Sequence, residues 1–383
     1  MALSWGERKT DVYNARQMIH IRQMEYSVKT RSAIVGAGPA GYALAVDLED
    51  HGTSVLVYSH PSHQRYTKSI LAQGGQLRSK GLIDACLLPR ITSDMSAVVA
   101  FATVIIITVP STGQETIWRE LARFDLSSHV VIAVPGNLFS MMRDFPLNAG
   151  WILETNLSPY SCRMDDSAEL VVLGKKKLVS IAMLGKDQNL RVKELVEGIF
   201  PMELLWCRNV VEVCLSNING VFHPLMVLMN AGRIESTQGD FFYYAEGLTP
   251  SVAKAIRAVD EVRIEVGRAL GFKMKSVVAM SNECYNHDFK DLVDLAQNSK
   301  PHRRLKAPEV VDTRNISEDV GDLLVCWHGL AEKLGIDNKA LTAVIALAGM
   351  TAGKDYLEEG RNLTRLGLQH SSREEILEKF RIH

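Results

Sequence analysis

The fold of this chain is decided by residues 32–41, which read Ser32-Ala33-Ile34-Val35-Gly36-Ala37-Gly38-Pro39-Ala40-Gly41. An apolar run leads into a G-x-G-x-x-G spacing, a helical stretch follows, and a second apolar run begins at Ser54. The first glycine permits a tight turn, the second lets a pyrophosphate approach the backbone, and the third lets the helix pack closely on the strand. The pattern predicts a dinucleotide site at a helix N-terminus. Its predicted cofactor-binding residues are Gly36, Gly38, Pro39, Ala40 and Gly41.

The end of the second strand bears on the type of cofactor. An NAD site usually has an acid there to accept from the ribose 2′-hydroxyl, but this chain continues Ser59-His60-Pro61-Ser62-His63-Gln64-Arg65. Ser59, His60 and Arg65 suit a 2′-phosphate instead. We therefore expect NADPH, with NADH as the alternative, and the missing acid also argues against FAD.

The ends of three further predicted strands are expected at the same edge of the sheet as the glycine turn. In an open parallel sheet the ligand lies outside the carboxyl ends of the strands. The runs Val104–Val109 and Val130–Val134 end at Pro110 and Pro135, which we expect beside the cofactor. Glu154 closes the next run, and Tyr160 follows it; each is either a crevice residue or a structural one.

The order of these runs predicts two domains. From about Ser32 to Leu184, short Val- and Ile-rich runs alternate with helical patterns, which is typical of a mostly parallel sheet. A hairpin is expected around Gly174–Lys177, helical spacing dominates beyond Pro201, and Ser281–Val310 is predicted as a long loop. The fold class is an α/β Rossmann-type, doubly wound N-terminal domain plus an all-α C-terminal domain. The boundaries are 1–28 for an N-terminal extension, 29–205 for the nucleotide-binding domain and 206–383 for the helical domain.

Composition narrows the classes of partner. The 383 residues are 46% hydrophobic and 23% charged, with a net charge of −1 and no basic block, so no nucleic-acid partner is expected. The longest apolar run falls short of the roughly 18 residues that span a bilayer, and no secretory signal is evident. Six dispersed cysteines predict neither a metal site nor disulfides. We expect a cytoplasmic protein, a monomer or a homodimer, that acts on small molecules.

One polar cluster interrupts the apolar part of the second domain. It reads Asn219-Gly220-Val221-Phe222-His223-Pro224. An imidazole in apolar surroundings must be hydrogen-bonded, and Asn219 shares its helix face if the segment is helical. On these residues alone, His223 is either a structural histidine or an acid–base group.

The motif resembles the opine dehydrogenase family. Asn219, His223 and Pro224 are followed by Asn230-Ala231-Gly232-Arg233-Ile234-Glu235, as in the octopine synthase and vitopine synthase type found in crown-gall T-DNA. Similar stretches, spread from about residue 31 to residue 365, include Thr108–Gln114, Ser158–Arg163 and Arg314–Val320.

The resemblance implies a reaction and a set of roles. His223 would be the general acid/base, Asp319 would orient it, and Asn219 would help to position the substrate. Arg314 would bind a substrate carboxylate, and Glu154 could contact the amino acid. The implied activity is that of an oxidoreductase: NADPH-dependent condensation of an L-amino acid, arginine or glutamine favoured, with a 2-oxo acid, pyruvate favoured, through an imine.

Two other functions remain open at this point. The first is reduction of a 2-oxo acid alone, as in a hydroxyacid dehydrogenase with the same histidine. The second is a nucleotide-binding protein that has lost its chemistry. The amino acid, the choice between pyruvate and 2-oxoglutarate, and the oligomeric state are not specified by the sequence.

Overall fold

The computed structural model describes residues 30–144, 146–165, 167–185 and 188–380. The predicted N-terminal extension, 1–28, lies outside the described residues. The strands are β1 (Arg31–Val35), β2 (Ser54–Tyr58), β3 (Leu77–Gly81), β4 (Ala85–Leu87), β5 (Arg90–Thr92), β6 (Val104–Ile107), β7 (Leu126–Ala133), β8 (Ala149–Thr155), β9 (Tyr160–Met164), β10 (Glu169–Lys175), β11 (Leu178–Met183) and β12 (Glu203–Trp206).

The helices of the first half alternate with these strands, and those of the second half follow one another directly. The first half has α1 (Pro39–Asp50), α2 (Arg65–Ala72), α3 (Met95–Phe101), α4 (Ser111–Leu121) and α5 (Leu190–Glu197). The second half has α6 (Val210–Leu215), α7 (Asn219–Leu228), α8 (Ala231–Thr237), α9 (Tyr243–Gly247), α10 (Pro250–Ala269), α11 (Val277–Tyr285), α12 (Leu292–Asn298), α13 (Arg314–Glu318), a π-helical turn (Asp319–Leu324), α14 (Val325–Leu334), α15 (Lys339–Ala352), α16 (Tyr356–Glu359) and α17 (Arg373–Phe380).

The main sheet has eight strands in the order β12-β11-β8-β7-β6-β1-β2-β5. The six strands from β8 to β5 run parallel, and β11 pairs antiparallel with β8. The order reverses at β1, between β2 and β6, where an open sheet of this kind forms its binding crevice. The predicted Rossmann-type domain is thus confirmed, together with a helical second domain.

A separate four-stranded sheet was not predicted. Its order is β4-β3-β10-β9, and it packs against α1. The expected hairpin around Gly174–Lys177 is therefore wrong, because β10 pairs with β3 and β9 whereas β11 pairs with β8 and β12. The strand does end here, at Lys175, but the chain changes sheets at Lys176 and Lys177 instead of folding back.

The helical domain shares a hydrophobic core with one face of the main sheet. A single cluster joins Val35, Ile107 and Val131 of the sheet to Val213 and Phe222 of the helices. Contrary to the expectation that no apolar stretch reaches membrane-spanning length, Val210–Leu228 does so by length and composition. However, 83% of its apolar window is buried inside the protein, so this stretch is a core segment.

The segment 281–310 was predicted as one long loop, and this is wrong. It contains the end of α11, all of α12 and a turn at 301–304. Asp291 caps α12 by accepting from the backbone N–H groups of Val293 and Asp294. Capping by an aspartate explains a short helix in a stretch too polar to show a clear apolar period.

Candidate active site

The glycine turn after β1 leaves the N-terminus of α1 open to an anion. Gly38 is the N-cap residue, Pro39 and Ala40 begin the helix, and no side chain in the described part of the chain bonds its first-turn N–H groups. A Cβ atom added at Gly38 would meet nothing within 4 Å, whereas one at Gly41 would lie 1.9 Å from the Gly36 carbonyl oxygen. Space above Gly38 and close packing at Gly41 fit the pyrophosphate of a dinucleotide, held by free N–H groups and the helix dipole.

Two proline turns border the same edge of the sheet. Pro110 follows β6 and Pro135 follows β7, the two strands next along from β1. The two turns are joined because Gln114 Nε2, on α4, donates to the Pro135 carbonyl oxygen at 2.8 Å. Both predicted residues therefore lie at the crevice edge of the sheet.

The end of β2 differs from the prediction in two respects. The Ser59 side chain is fully buried and its Oγ accepts from Thr67 Oγ1 at 2.8 Å, so this hydroxyl faces the domain interior and not a cofactor phosphate. His60 Nε2 lies 3.2 Å from Glu120 Oε1, and Tyr58 donates to Glu120 Oε2 at 2.7 Å. An acid is thus present beside β2, although it comes from α4. Arg65 is exposed at the start of α2, against the ring of Tyr66.

A histidine–aspartate pair lies where α7 packs against the π-helical turn. His223 Nδ1, on α7, is 2.7 Å from Oδ2 of Asp319, the first residue of the π-helical turn. Their side chains are only 18% and 8% exposed. Because a carboxylate only accepts, Nδ1 carries the proton of this bond, and Nε2 is the nitrogen that can exchange a proton with a substrate.

Asn219 and Arg314 begin the two helices that carry this pair. Asn219 is the first residue of α7, one turn before His223. Arg314 is the first residue of α13, which continues into the π-helical turn, and its side chain is exposed. Since α7 packs against both α13 and the π-helical turn, the four residues lie on three adjoining elements.

Two predicted substrate residues are not brought into this arrangement. Glu154 is fully buried, and its two oxygens accept from the backbone N–H groups of Leu138 and Ser140, each at 2.8 Å. Burial raises the pKa of its carboxyl. Tyr160 is buried as well and donates to Asp47 Oδ2 of α1 at 2.6 Å. These bonds give Glu154 and Tyr160 structural roles instead of the predicted substrate contacts.

A wall of aromatic residues near His223 was not predicted from the sequence. Tyr244 and Tyr285 pack against His302, with ring centroids 5.1 and 5.4 Å away. Burial, together with the charges of Lys176 and His223, lowers the pKa of His302 to about 3. His302 is thus neutral at physiological pH, and the wall is an uncharged surface that contacts Phe222, the residue before His223.

Arg163, Lys176 and Arg314 bring positive charge to this wall. Burial raises the pKa of the Cys162 thiol to about 11, although the positive charges of Lys176, Arg314 and Arg163 act to lower it. Arg163 and Arg314 also act on Tyr244, whose neighbouring acid is Asp319. Because Asp319 is already bonded to His223, the crevice favours an anion.

Comparison with known proteins identifies this architecture. The α-helical domain of NAD/NADP octopine/nopaline dehydrogenases matches residues 206–352. "Protein ocs" of Agrobacterium tumefaciens (strain Ach5) is 27% identical over 90% of this chain and 97% of its own length. An opine dehydrogenase of Arthrobacter sp. (strain 1C) is 29% identical over 88% of this chain and 94% of its own length. In fold, the chain resembles an octopine dehydrogenase solved with NADH and agmatine, with a TM-score of 0.70 and 19% identity, over 93% of this chain and 99% of that one.

Proposed function

We propose that this chain is an opine synthase of the opine dehydrogenase family, an NAD(P)-dependent oxidoreductase that acts on CH–NH groups. It joins the amino group of an L-amino acid to a 2-oxo acid and reduces the resulting imine to an N-(carboxyalkyl) amino acid. The observation that carries the proposal is the 2.7 Å bond between His223 and Asp319. The elements that hold this pair are bonded to turns at the carboxyl edge of a dinucleotide-binding sheet.

His223 performs the proton transfers of this reaction. Its Nε2 takes a proton from the ammonium group of the amino acid, so that the free amine attacks the carbonyl carbon of the 2-oxo acid. The imidazolium then protonates the carbinolamine hydroxyl, which leaves as water when the imine forms. Asp319 fixes the tautomer and stabilises the imidazolium. A bound nicotinamide cofactor supplies the hydride that converts the imine carbon to a saturated one.

Arg314 and Asn219 orient the substrates in the proposal. A guanidinium binds a carboxylate through two parallel hydrogen bonds, which fixes the plane of the imine. Arg314 is exposed at the start of α13, where a substrate carboxylate can reach its guanidinium. The Asn219 amide, on the His223 face of α7, helps to position the reacting groups.

The charges of the crevice favour one of the two predicted amino acids. Arg163, Arg314 and Lys176 act there against the acids Asp319 and Glu318. These cations would repel the guanidinium of an arginine substrate, whereas they would not repel the neutral amide of glutamine. We therefore propose glutamine over arginine as the amino donor and pyruvate as the 2-oxo acid.

A substrate panel tests this function. The purified protein is mixed with NADPH or NADH, with glutamine, arginine or other amino acids, and with pyruvate or 2-oxoglutarate. Cofactor oxidation is followed and the product is identified by mass. We expect oxidation only when an amino acid and a 2-oxo acid are both present. Rapid oxidation with pyruvate alone would indicate a 2-oxo acid reductase, and cofactor binding without turnover on any pair would indicate a non-catalytic nucleotide-binding protein.

We propose NADPH as the preferred cofactor, with Glu120 as the residue that limits this preference. His60 and Arg65 support binding of a 2′-phosphate at the end of β2. Glu120 opposes it, because its carboxylate lies 3.2 Å from the His60 imidazole for which the phosphate would compete.

Substitution Glu120→Gln should raise kcat/KM for NADPH relative to NADH by about tenfold, the effect of removing one like charge at close range in a partly exposed site. Steady-state kinetics with both cofactors measure this ratio. Glu115→Gln is the matched control, because Glu115 is on the same helix but pairs with Arg365. An equal change for both cofactors in the Glu120 variant would rule out its proposed role.

We propose a cytoplasmic location and action as a monomer or homodimer. All six cysteines are free thiols, which suits a reducing compartment. Four of them, Cys207, Cys214, Cys284 and Cys326, are buried.

A further inference from the structure

A buried arginine joins the cofactor side of the crevice to the helical domain. Arg361 is 2% exposed and lies beside residues 134–138, which we call the Pro135 turn. Its Nη1 donates to the carbonyl oxygens of Gly136 and Asn137 at 2.9 and 2.7 Å, and its Nη2 donates to Gln114 Oε1 at 2.7 Å. Since Gln114 also donates to Pro135, Arg361 fixes the Pro135 turn against α4.

The same guanidinium is tied to the helix that carries Asp319. Arg361 Nε lies 3.3 Å from Asp322 Oδ1, and the Ser111 hydroxyl donates to the other oxygen of Asp322. Glu318 Oε1 accepts from the Ser111 backbone N–H at 2.5 Å. Glu318 and Asp322 are four residues apart, and both of their side chains bond Ser111, the first residue of α4. Asp319, next to Glu318, bonds His223 instead.

A second connection reaches the helix that carries His223. Asn217 Nδ2 donates to Asn137 Oδ1 of the Pro135 turn at 2.9 Å. Its amide oxygen accepts from the backbone N–H of Asn219 at 3.1 Å. The start of α7 and the π-helical turn are therefore both bonded, through buried groups, to one turn at the carboxyl edge of the sheet.

We infer that Arg361 is a positioning residue, which holds the His223–Asp319 pair at a fixed distance from the cofactor-side turns at Ser111 and Pro135. The inference rests on the proposed function. Removing a guanidinium from water is expensive, and well-packed apolar residues often stabilise a core equally well. A buried arginine that bonds two backbone carbonyls, an amide and a carboxylate instead specifies one arrangement of the elements that it joins.

The test compares Arg361→Met, Arg361→Lys and a matched control, Arg365→Met. Arg365 also joins this segment to α4, through Glu115, but it is partly exposed and does not contact the Pro135 turn. We expect Arg361→Met to lower kcat about 100-fold, the effect of a misplacement near 1 Å, with the Kd for NADPH and both KM values within about threefold. Arg361→Lys should recover part of the loss, and Arg365→Met should stay within twofold of the unmodified protein.

Hydrogen exchange provides a measurement that does not depend on turnover. In Arg361→Met, the amides of 134–142 and 318–324 should lose protection together, and Arg365→Met should leave both segments unchanged. If Arg361→Met misfolds, Ser111→Ala replaces it in the test. This variant removes only the hydroxyl bond to Asp322 and should lower kcat and protection in the same two segments, but by less.

The inference is overturned if protection in the two segments is unchanged, if kcat is retained despite a loss of protection, or if Kd for NADPH rises in step with the loss of activity. Should the unmodified protein make no opine from any substrate pair, the proposed function fails. The exchange result then decides alone whether Arg361 joins the two segments.

Discussion

The substitution His223→Gln should lower kcat by about 10³-fold, within the range that general acid–base catalysis contributes, while the Kd for NADPH stays within about threefold. Glutamine fills a similar space but cannot exchange a proton at the position of Nε2. The dinucleotide contacts start at the glycine turn on the other domain, so they should persist. Stopped-flow or steady-state kinetics give kcat, and cofactor fluorescence titration gives the Kd.

The molecule contains a matched control for this experiment. His51 Nδ1 lies 3.4 Å from Asp47 Oδ1, so it forms a second histidine–aspartate pair, but its side chain is 51% exposed at the end of α1. His51→Gln should keep kcat within twofold. Equal losses in the two variants would show that His223 acts on stability and not on proton transfer.

Replacing Asp319 with asparagine should lower kcat by about 10²–10⁴-fold with little change in KM. Asparagine is nearly the same shape, but it can donate to Nδ1 and so favour the wrong tautomer, and it does not stabilise an imidazolium. The melting temperature should change by only a few degrees, which differential scanning fluorimetry measures.

A double variant shows whether the pair works as one unit. If Asp319 acts only through His223, the variant with both His223→Gln and Asp319→Asn should be no slower than His223→Gln alone. A double variant whose loss equals the product of the two single losses would contradict this, because the residues would then act independently.

The nucleotide-binding domain was predictable because its signals are local. The glycine spacing at 36–41 and the Val- and Ile-rich runs each arise within about ten residues, and they specify strand, turn and helix directly. Local signals failed at residues 174–177, where the connection between two sheets has the same composition as a hairpin turn. They failed again at 281–310, where α12 begins with a capping aspartate in a stretch without a clear apolar period.

The candidate site depends on contacts between distant parts of the chain. His223 and Asp319 are 96 residues apart, and their pairing was expected from the family resemblance and not from their spacing. Glu120 was missed because it reaches Tyr58 from a helix 62 residues further along. Glu154 and Tyr160 follow the expected strand end, but the direction of a side chain depends on packing partners such as Asp47 that the local sequence does not reveal.

The hydrophobic cluster that runs from Val35 and Ile107 to Val213 and Phe222 limits how this enzyme can be re-engineered. A chimera that combined its first domain with the helical domain of an opine dehydrogenase would have to match two apolar surfaces side chain by side chain, since cores tolerate neither voids nor excess volume. New substrate preferences are therefore better sought by exchanging residues of the crevice wall, such as Tyr244, Tyr285 and His302, within an intact chain.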